Sequence, residues 1–358
     1  MAEFYILLFV PMAIQALSGY RTDKSANKKN KTALMFFFLM LTILVALRHE
    51  SVGADTRNYI NHFYRFSALN FTEIATDTAE FGYAYFNKIV SLISKNHQVF
   101  LTIAAIVTGT TIYQIYKHLN VDTTLTMLLF CTMSTFVMMF SGIRQMLAIA
   151  IGFIAYKFVR EKRLILFVLS IALAMTLHTS AFMIAFMYPA YHIRINKKSL
   201  FWVVPLLGIT LLLNENIFSF LATYLEQYTK YEADITSTGA YAMLLLFAAF
   251  TVFAFVLPDE SAMDKETLGL RNFLVLSLAL QMFAPLHTLA MRMNYYYIIF
   301  IPLLIPRIIM YRKKEMRQLA SLARIVMVIF FTVYFFYNAY TVDNNLRVFP
   351  YHFFWESV

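Results

Sequence analysis

The stretch LILFVLSIALAMTLHTSAFMIAFMYPAY, residues 164–191, contains no Asp, Glu, Lys or Arg and has basic clusters on both flanks. REKR precedes it at 160–163, and HIRINKK follows it at 192–198. Clusters of this kind mark the cytoplasmic ends of membrane segments. Both flanks should therefore lie inside, which predicts a hairpin with His178 near its apex.

The arms of this hairpin are short for a membrane. Each has about 14 residues, or about 21 Å at 1.5 Å per residue, against roughly 30 Å of hydrocarbon. The apex should therefore lie below the outer headgroups. A turn at that depth persists only where it is buried in protein or lines a wet cavity. We expect His178, Thr179 and Ser180 to line a cavity that opens to the outside.

The composition of the whole chain is that of a membrane protein. Of its 358 residues, 60% are hydrophobic and only 14% are charged, with a mean hydropathy of +0.62. These values lie far from those of soluble domains. The single cysteine, Cys131, excludes an intramolecular disulfide framework.

The apolar windows predict an all-α polytopic protein with about twelve transmembrane helices. Basic residues follow the first window instead of preceding it, which excludes a cleaved signal peptide and places the N-terminus outside. An even number of crossings places the C-terminus outside as well. The predicted crossings are roughly 2–20, 32–47, 98–116, 123–141, 143–158, 164–178, 179–191, 200–214, 240–257, 272–290, 292–311 and 324–340.

The distribution of positive charge supports this topology. Of the 30 Lys and Arg residues, 21 fall on the predicted inner side, which is a positive-inside signal. One predicted inner loop, 258–271, is acidic, but Asp and Glu contribute little to the positive-inside rule. The net charge of +10 therefore marks the cytoplasmic surface and does not imply nucleic acid. The nine outer residues are Arg48, Arg57, Arg65, Lys88, Lys95, Arg144, Lys230, Arg292 and Arg347.

We interpret residues 1–358 as a single integral membrane domain with two extracytoplasmic segments, 48–97 and 214–239. The second is tyrosine-rich and should lie at the membrane interface. The sequence has no internal repeat, no phosphate-binding glycine loop and no Cys/His metal spacing. We therefore expect neither a metal nor a cofactor.

Four polar residues from distant parts of the chain fall on the outer side: Arg48, Arg144, His178 and Arg292. Arginines around one outward cavity favour a polyanion, because guanidinium groups bind phosphate in bidentate fashion and stay charged. At that depth the available polyanion is a lipid-linked diphosphate. The simpler alternatives are interfacial anchoring for the arginines and a structural role for the histidine. The tyrosine run 295–297 is typical of an aromatic belt, and loop acids such as Glu80 are by default solvated.

Several motifs resemble the EpsG family of Wzy-like polysaccharide polymerases. They occur in family order over nearly the whole chain and end in VFPYHFFW at 348–355. The matching residues are Arg48, Gly53, Asp55, Thr56 and Tyr59 in R-x4-G-x-D-T-x2-Y; Glu80, Gly82 and Tyr83 in E-x-G-Y; Ser141, Gly142, Arg144, Gln145 and Ala148 in S-G-x-R-Q-x-x-A; His178 to Ala181 in H-T-S-A; and Arg292 with Tyr295.

The resemblance implies a GT-C-like membrane glycosyltransferase in the bacterial cytoplasmic (inner) membrane, with its active site facing the periplasm or exterior. Family members are similar to enzymes that join undecaprenyl-diphosphate-linked oligosaccharide repeats. The expected partners are such a donor and acceptor and the lipid bilayer, with a flippase and a chain-length regulator as candidate protein partners.

Glycan transfer from a polyprenyl diphosphate requires stabilisation of the leaving group and removal of a proton from the acceptor hydroxyl. The outer loops carry no D-x-D or E-x-D pair for a metal, so arginines should stabilise the leaving group. His178 is the leading candidate for the base, since histidine titrates near neutral pH, and Asp55 and Glu80 are its rivals. The predicted diphosphate- and substrate-binding residues are Arg48, Arg144, Gln145, Arg292, Tyr59 and Tyr295.

Other functions stay open at this point. An O-antigen ligase-like transferase uses the same donor, but its large outer loop comes late in the chain, whereas the longest outer segment here is 48–97. A transporter should carry charges near the membrane midplane and an internal repeat. A membrane O-acyltransferase should have a histidine–arginine site on the cytoplasmic side. The early outer segment favours the polymerase over the ligase, the outer position of the charges and the missing repeat favour it over the transporter, and the lack of a cytoplasmic histidine–arginine site favours it over the acyltransferase.

Overall fold

The computed structural model of the chain describes residues 1–17, 24–77, 80–224, 238–341 and 346–358. Regular structure within these ranges is helical, and backbone pairing of the β type is limited to two isolated bridges, Arg48 with Phe353 and Pro258 with Arg312. The predicted all-α class is therefore confirmed for the part of the chain that is described.

The helices are numbered in chain order. They are α1 (Ala2–Ala16), α2 (Lys24–Ala46), α3 (Thr56–Ala68), α4 (Phe71–Asp77), α5 (Phe81–Ile93), α6 (His97–Leu119), α7 (Thr123–Thr132), α8 (Ser134–Ser141), α9 (Ile143–Arg160), α10 (Leu164–Leu177), α11 (Met187–His192), α12 (Leu200–Leu212), α13 (Asn214–Tyr224), α14 (Thr238–Val256), α15 (Lys265–Gln281), α16 (Thr288–Ile298), α17 (Ile301–Met310) and α18 (Arg317–Thr341). Two 3-10 helices, Thr179–Phe186 and Lys314–Met316, complete the set for the described residues.

Several of these helices are long and apolar enough to cross a membrane. Three described helices qualify alone, namely His97–Leu119, Gly239–Val256 and Lys314–Thr341. The number rises to six if three bent pairs each count as one span: α7 with α8, α12 with the first part of α13, and α16 with α17. The described helices are thus compatible with a membrane protein, while the twelve crossings, the GT-C-like arrangement and the outer termini stay predictions.

The stretch 164–191 breaks at His178, as predicted. Helix α10 ends at Leu177, and His178 takes up extended backbone with φ −156° and ψ 121°. The segment after His178 differs from the expected helix, because it runs as 3-10 helix through Thr179–Phe186 before α11 begins. A 3-10 helix rises about 2.0 Å per residue, so this segment is longer than an α-helix with the same number of residues. The predicted hairpin stays a prediction.

The predicted boundary 272–290 is wrong. Helix α15 begins at Lys265, because the Asp264 side chain accepts a hydrogen bond from the Thr267 N–H at 2.7 Å and caps the helix. The helix ends at Gln281. Of the outer segment 214–239, residues 225–237 lie outside the described residues, as do residues 18–20 of the first predicted crossing.

The helices pack into two units, residues 1–185 with 324–358 and residues 186–323. In the first unit, α3 is amphipathic and buries Tyr59, Ile60, Phe63 and Phe66 along one face. These side chains join a core with residues from α5, α6 and α9. The outer segment 48–97 therefore contributes folded helices to this unit. The prediction of a single membrane domain is not tested by this division.

Candidate active site

Glu80 joins two of the predicted site residues in the first unit. Its Oε2 lies 2.5 Å from a terminal nitrogen of Arg144, and its Oε1 lies 2.8 Å from Nδ1 of His178. The Thr179 N–H donates to Oε1 at 3.0 Å. Only 8% of Glu80 is exposed, so the solvated default expected for this loop acid is wrong. One carboxylate holds an arginine and a histidine that are 64 and 98 residues away in sequence.

The surroundings keep Glu80 ionised. Burial alone would raise its pKa, but the hydrogen bond and charge of His178, the charge of Arg144 and the Thr179 N–H together lower the pKa to about 2. An ionised carboxylate only accepts hydrogen bonds. The His178 tautomer that fits this contact carries its proton on Nδ1, toward Glu80, and has Nε2 as the unprotonated nitrogen.

Arg144 lies in the first turn of α9, which begins at Ile143 as the sequence predicts. A helix N-terminus disfavours a cation, because the macrodipole is positive there. The dipole and the guanidinium together attract an anion, and the Glu80 carboxylate supplies one. Arginine has five N–H donors, and Arg144 Nε finds no hydrogen-bond partner among the described residues. Nε is buried, whereas 32% of the whole side chain is exposed.

Helix α5 can approach α10 closely because residue 82 is glycine. A Cβ at Gly82 would overlap the side chain of Thr176, in the last turn of α10. This close approach brings Glu80, the residue that precedes α5, next to His178 at the end of α10. The glycine of E-x-G-Y thus positions the glutamate of the same motif.

Two tyrosines flank the Arg144 guanidinium. The ring centroids of Tyr59 and Tyr83 lie 5.7 and 5.8 Å from its Cζ atom, within range for cation–π attraction. The rings also contact each other edge to face at 6.0 Å, and the His62 ring lies 6.3 Å from both. The structure therefore brings together Tyr59, Glu80, Arg144 and His178 of the predicted site.

Arg48 has a different environment. Only 1% of it is exposed, and its guanidinium donates to the Val45 carbonyl and to Thr56 Oγ1, the latter at 3.4 Å. The C-terminal segment pairs with this loop, since the His49 N–H donates to the His352 carbonyl at 2.8 Å. Arg48 thus points into protein and holds the first outer loop, and its predicted contact with diphosphate stays a prediction.

Asp55 and Gln145 lie beside this arrangement. Asp55 precedes α3 and is half-buried, and its N–H donates to Ser141 Oγ at 3.3 Å, which ties the loop before α3 to the end of α8. Gln145 is 3% exposed and follows Arg144. Roles in catalysis or substrate binding stay predictions for both.

Arg292 and Tyr295 belong to the second unit, in α16. Arg292 is half-buried, and Tyr295, Tyr296 and Tyr297 are 5%, 1% and 0% exposed. The aromatic-belt interpretation of this run is wrong, because a belt residue would present its ring to the lipid interface. A substrate role for Arg292 and Tyr295 stays a prediction.

Comparison with known proteins places the chain in a family. No curated protein and no solved structure matches it significantly. The sequence profile of the EpsG family matches residues 31–353, which include every residue described above for the site. The protein belongs to the EpsG family.

Proposed function

We propose that this protein is a polysaccharide polymerase, a membrane glycosyltransferase that acts on the outer face of the cytoplasmic membrane. It transfers the growing glycan from undecaprenyl diphosphate to the terminal sugar hydroxyl of a new undecaprenyl-diphosphate-linked repeat unit. Membership of the EpsG family supports the class of reaction. The observation that carries the mechanism is the Glu80 carboxylate between Arg144 and His178.

In this proposal His178 is the general base and Glu80 orients it. The hydrogen bond to Glu80 fixes the proton on Nδ1, so Nε2 accepts the proton of the acceptor hydroxyl. The hydroxyl oxygen attacks the anomeric carbon of the donor sugar, and the bond from that carbon to the diphosphate oxygen breaks. Glu80 then stabilises the imidazolium. With a pKa near 2, Glu80 itself is too weakly basic to take this proton at neutral pH, which argues against it as the rival base.

Arg144 is proposed to bind the leaving diphosphate. Its planar fork donates to phosphate oxygens, and its charge is most useful in the transition state, when negative charge develops on the leaving group. The predicted substrate-binding role of Arg292 stays a prediction. The Arg48 guanidinium instead contacts the Val45 carbonyl and Thr56 Oγ1, which stabilises the loop that leads to α3.

We propose that the reaction proceeds without a metal ion, with arginine as the charge partner of the diphosphate. Within the described ranges, no group of three or more His, Cys, Asp or Glu side chains lies close enough to hold a metal. The test is whether the purified enzyme keeps polymerising lipid-linked repeats in the presence of a chelator.

The deciding experiment for the function is genetic. Deletion of the gene should shorten the surface glycan to single repeats while lipid-linked units are still exported. A ligase would instead leave polymer on the lipid carrier, and a transporter would leave the repeat units inside the cell. Either result would overturn the proposal.

Complementation of the deletion strain then tests the base. Wild type should restore long chains, and His178→Ala should not, at equal protein levels. His97→Ala is a matched control, because His97 ends the predicted outer segment 48–97 and its Nδ1 bonds to the Tyr64 hydroxyl at 2.8 Å instead of to Glu80. Full restoration by His178→Ala would return His178 to a structural role and promote Asp55.

A further inference from the structure

Tyr83 is the residue of the E-x-G-Y motif that the mechanism above does not use. It is 2% exposed, and it lies on α5 three residues after Glu80, so the same short segment supplies both an anion and an aromatic ring to Arg144. Tyr59 supplies a second ring from α3. The guanidinium therefore has a carboxylate on one nitrogen and two ring contacts within 6 Å.

We infer that Tyr83 is a positioning residue, which together with Tyr59 forms an aromatic cage that holds the Arg144 guanidinium in the orientation that binds the donor diphosphate. This inference rests on the proposed function. A free arginine side chain loses rotamer entropy when it binds an anion. A guanidinium that is already held by Glu80 and by two rings loses less, so anion binding is stronger and the fork is aligned before the leaving group develops charge.

The cage requires the ring face of residue 83 and not its hydroxyl group. Tyr83→Phe should therefore retain polymerisation within about threefold of wild type, because phenylalanine also attracts a cation to its ring face. Tyr83→Leu should lose most activity, but the residue is buried, and a leucine there also changes the packing. That variant alone would not separate positioning from structure.

Fluorination of the ring separates the two roles. Phenylalanine with one, two and three ring fluorines, incorporated at position 83 of the full chain, withdraws electron density from the ring face while changing its volume little. The series should lower the rate of polymerisation of lipid-linked repeats stepwise, by about 2- to 30-fold in total, the range that a cation–π interaction supports. If the ring had only a structural role, the rate of polymerisation would be the same for all members of the series. The same series at Tyr85, which lies on α5 against Phe71 and Phe81, is the matched control and should be flat.

A second measurement keeps the inference separate from the proposed function. Binding of inorganic diphosphate to the purified chain in nanodiscs should weaken along the fluorinated series at Tyr83, and Arg144→Ala should remove both the binding and its dependence on fluorine. If the protein polymerises but neither property responds to fluorine, the cage is overturned and the polymerase stands. If diphosphate binding responds but no polymer forms, the cage stands and the proposed function fails. If wild type does not bind diphosphate, the cage as a diphosphate-binding device is overturned.

Discussion

Replacement of Glu80 by glutamine is the sharpest test of the proposed site, because the two side chains are nearly isosteric. The glutamate accepts from His178 Nδ1 at 2.8 Å, from Arg144 at 2.5 Å and from the Thr179 N–H at 3.0 Å. A glutamine removes the negative charge and introduces an NH2 group that donates. Where that group faces His178 Nδ1, it favours the tautomer with the proton on Nε2, which cannot act as the base.

The expected loss of activity is large. An amide in place of the orienting carboxylate of a serine protease triad lowers kcat about 10⁴-fold through the wrong tautomer. Glu80→Gln should therefore lower the turnover of lipid-linked repeats by about 10²- to 10⁴-fold, with a smaller effect on the concentration of acceptor required. Glu73→Gln is the control, because Glu73 is an exposed residue of α4 whose carboxylate accepts from the Asn70 N–H.

The same substitution should change the response of stability to acid. The pKa of Glu80 is lowered from 4.5 to about 2, so its contribution is fully present above about pH 4.5 and is lost as the pH falls toward 2. A difference of about 2.5 pKa units corresponds to about 3 kcal/mol, at 1.36 kcal/mol per unit. Thermal unfolding of the purified protein in detergent should therefore show a weaker acid dependence in Glu80→Gln than in wild type. Polymerisation by Glu80→Gln within about threefold of wild type, at equal protein level, would refute the proposed dyad.

Three further predictions concern the arginine, the metal and the topology. Arg144→Lys should lower polymerisation at least about tenfold, because a charge-assisted hydrogen bond to a fixed fork is worth roughly 1.5–3 kcal/mol, and near-wild-type activity would reduce Arg144 to an interfacial anchor. Purified enzyme should keep polymerising in excess EDTA, and loss of activity that magnesium or manganese reverses would show that arginine does not replace a metal. Cysteines at Lys162 and Lys197 should resist an impermeant thiol reagent in intact cells and a cysteine at Ser67 should react with it, whereas the reverse labelling would contradict the outward-facing site.

The local features of the site could be predicted from the sequence. The polar residues at 141–145 predict the start of α9 at residue 143, and the basic clusters on both flanks of 164–191 predict the break at His178. The predicted site also contained Glu80, Arg144 and His178. Features of this kind depend on residues close together in the chain.

The pairing within the site was not predictable in the same way. Glu80 was considered as a rival base and as a solvated acid, whereas the structure makes it the partner of both Arg144 and His178. These contacts join residues 64 and 98 positions apart, and one sequence carries no signal for such pairs. The order of the family motifs indicates that these residues belong to one site. Gly82 in E-x-G-Y also indicates a close helix contact, because α5 approaches Thr176 at this residue.

The bend in one predicted membrane span was also not predictable from the sequence. The predicted span 123–141 bends by 64° at Met133, where no proline or glycine occurs. The Thr132 hydroxyl donates to the Leu128 carbonyl at 2.8 Å, and back-bonding of this kind is associated with bent helices. The acidic inner loop 258–271 likewise has a structural explanation. Its Glu260 and Asp264 form ion pairs with Arg271 and Arg307, each at 2.6 Å, so these acids balance buried arginines of their own unit.

Arg144 stands at the N-terminal end of an apolar helix. A charged side chain near hydrocarbon costs free energy unless an opposite charge pairs with it. Glu80 supplies that charge, and with a neutral His178 the three groups together carry no net charge. In the proposed mechanism His178 takes the proton of the acceptor, so the total charge of the three groups becomes +1 at the moment when the leaving diphosphate gains negative charge. Proton transfer and leaving-group stabilisation are then coupled through a single carboxylate. This coupling predicts that the losses from Arg144→Ala and His178→Ala are not additive, and a double variant with the product of the two single losses would show that the groups act independently.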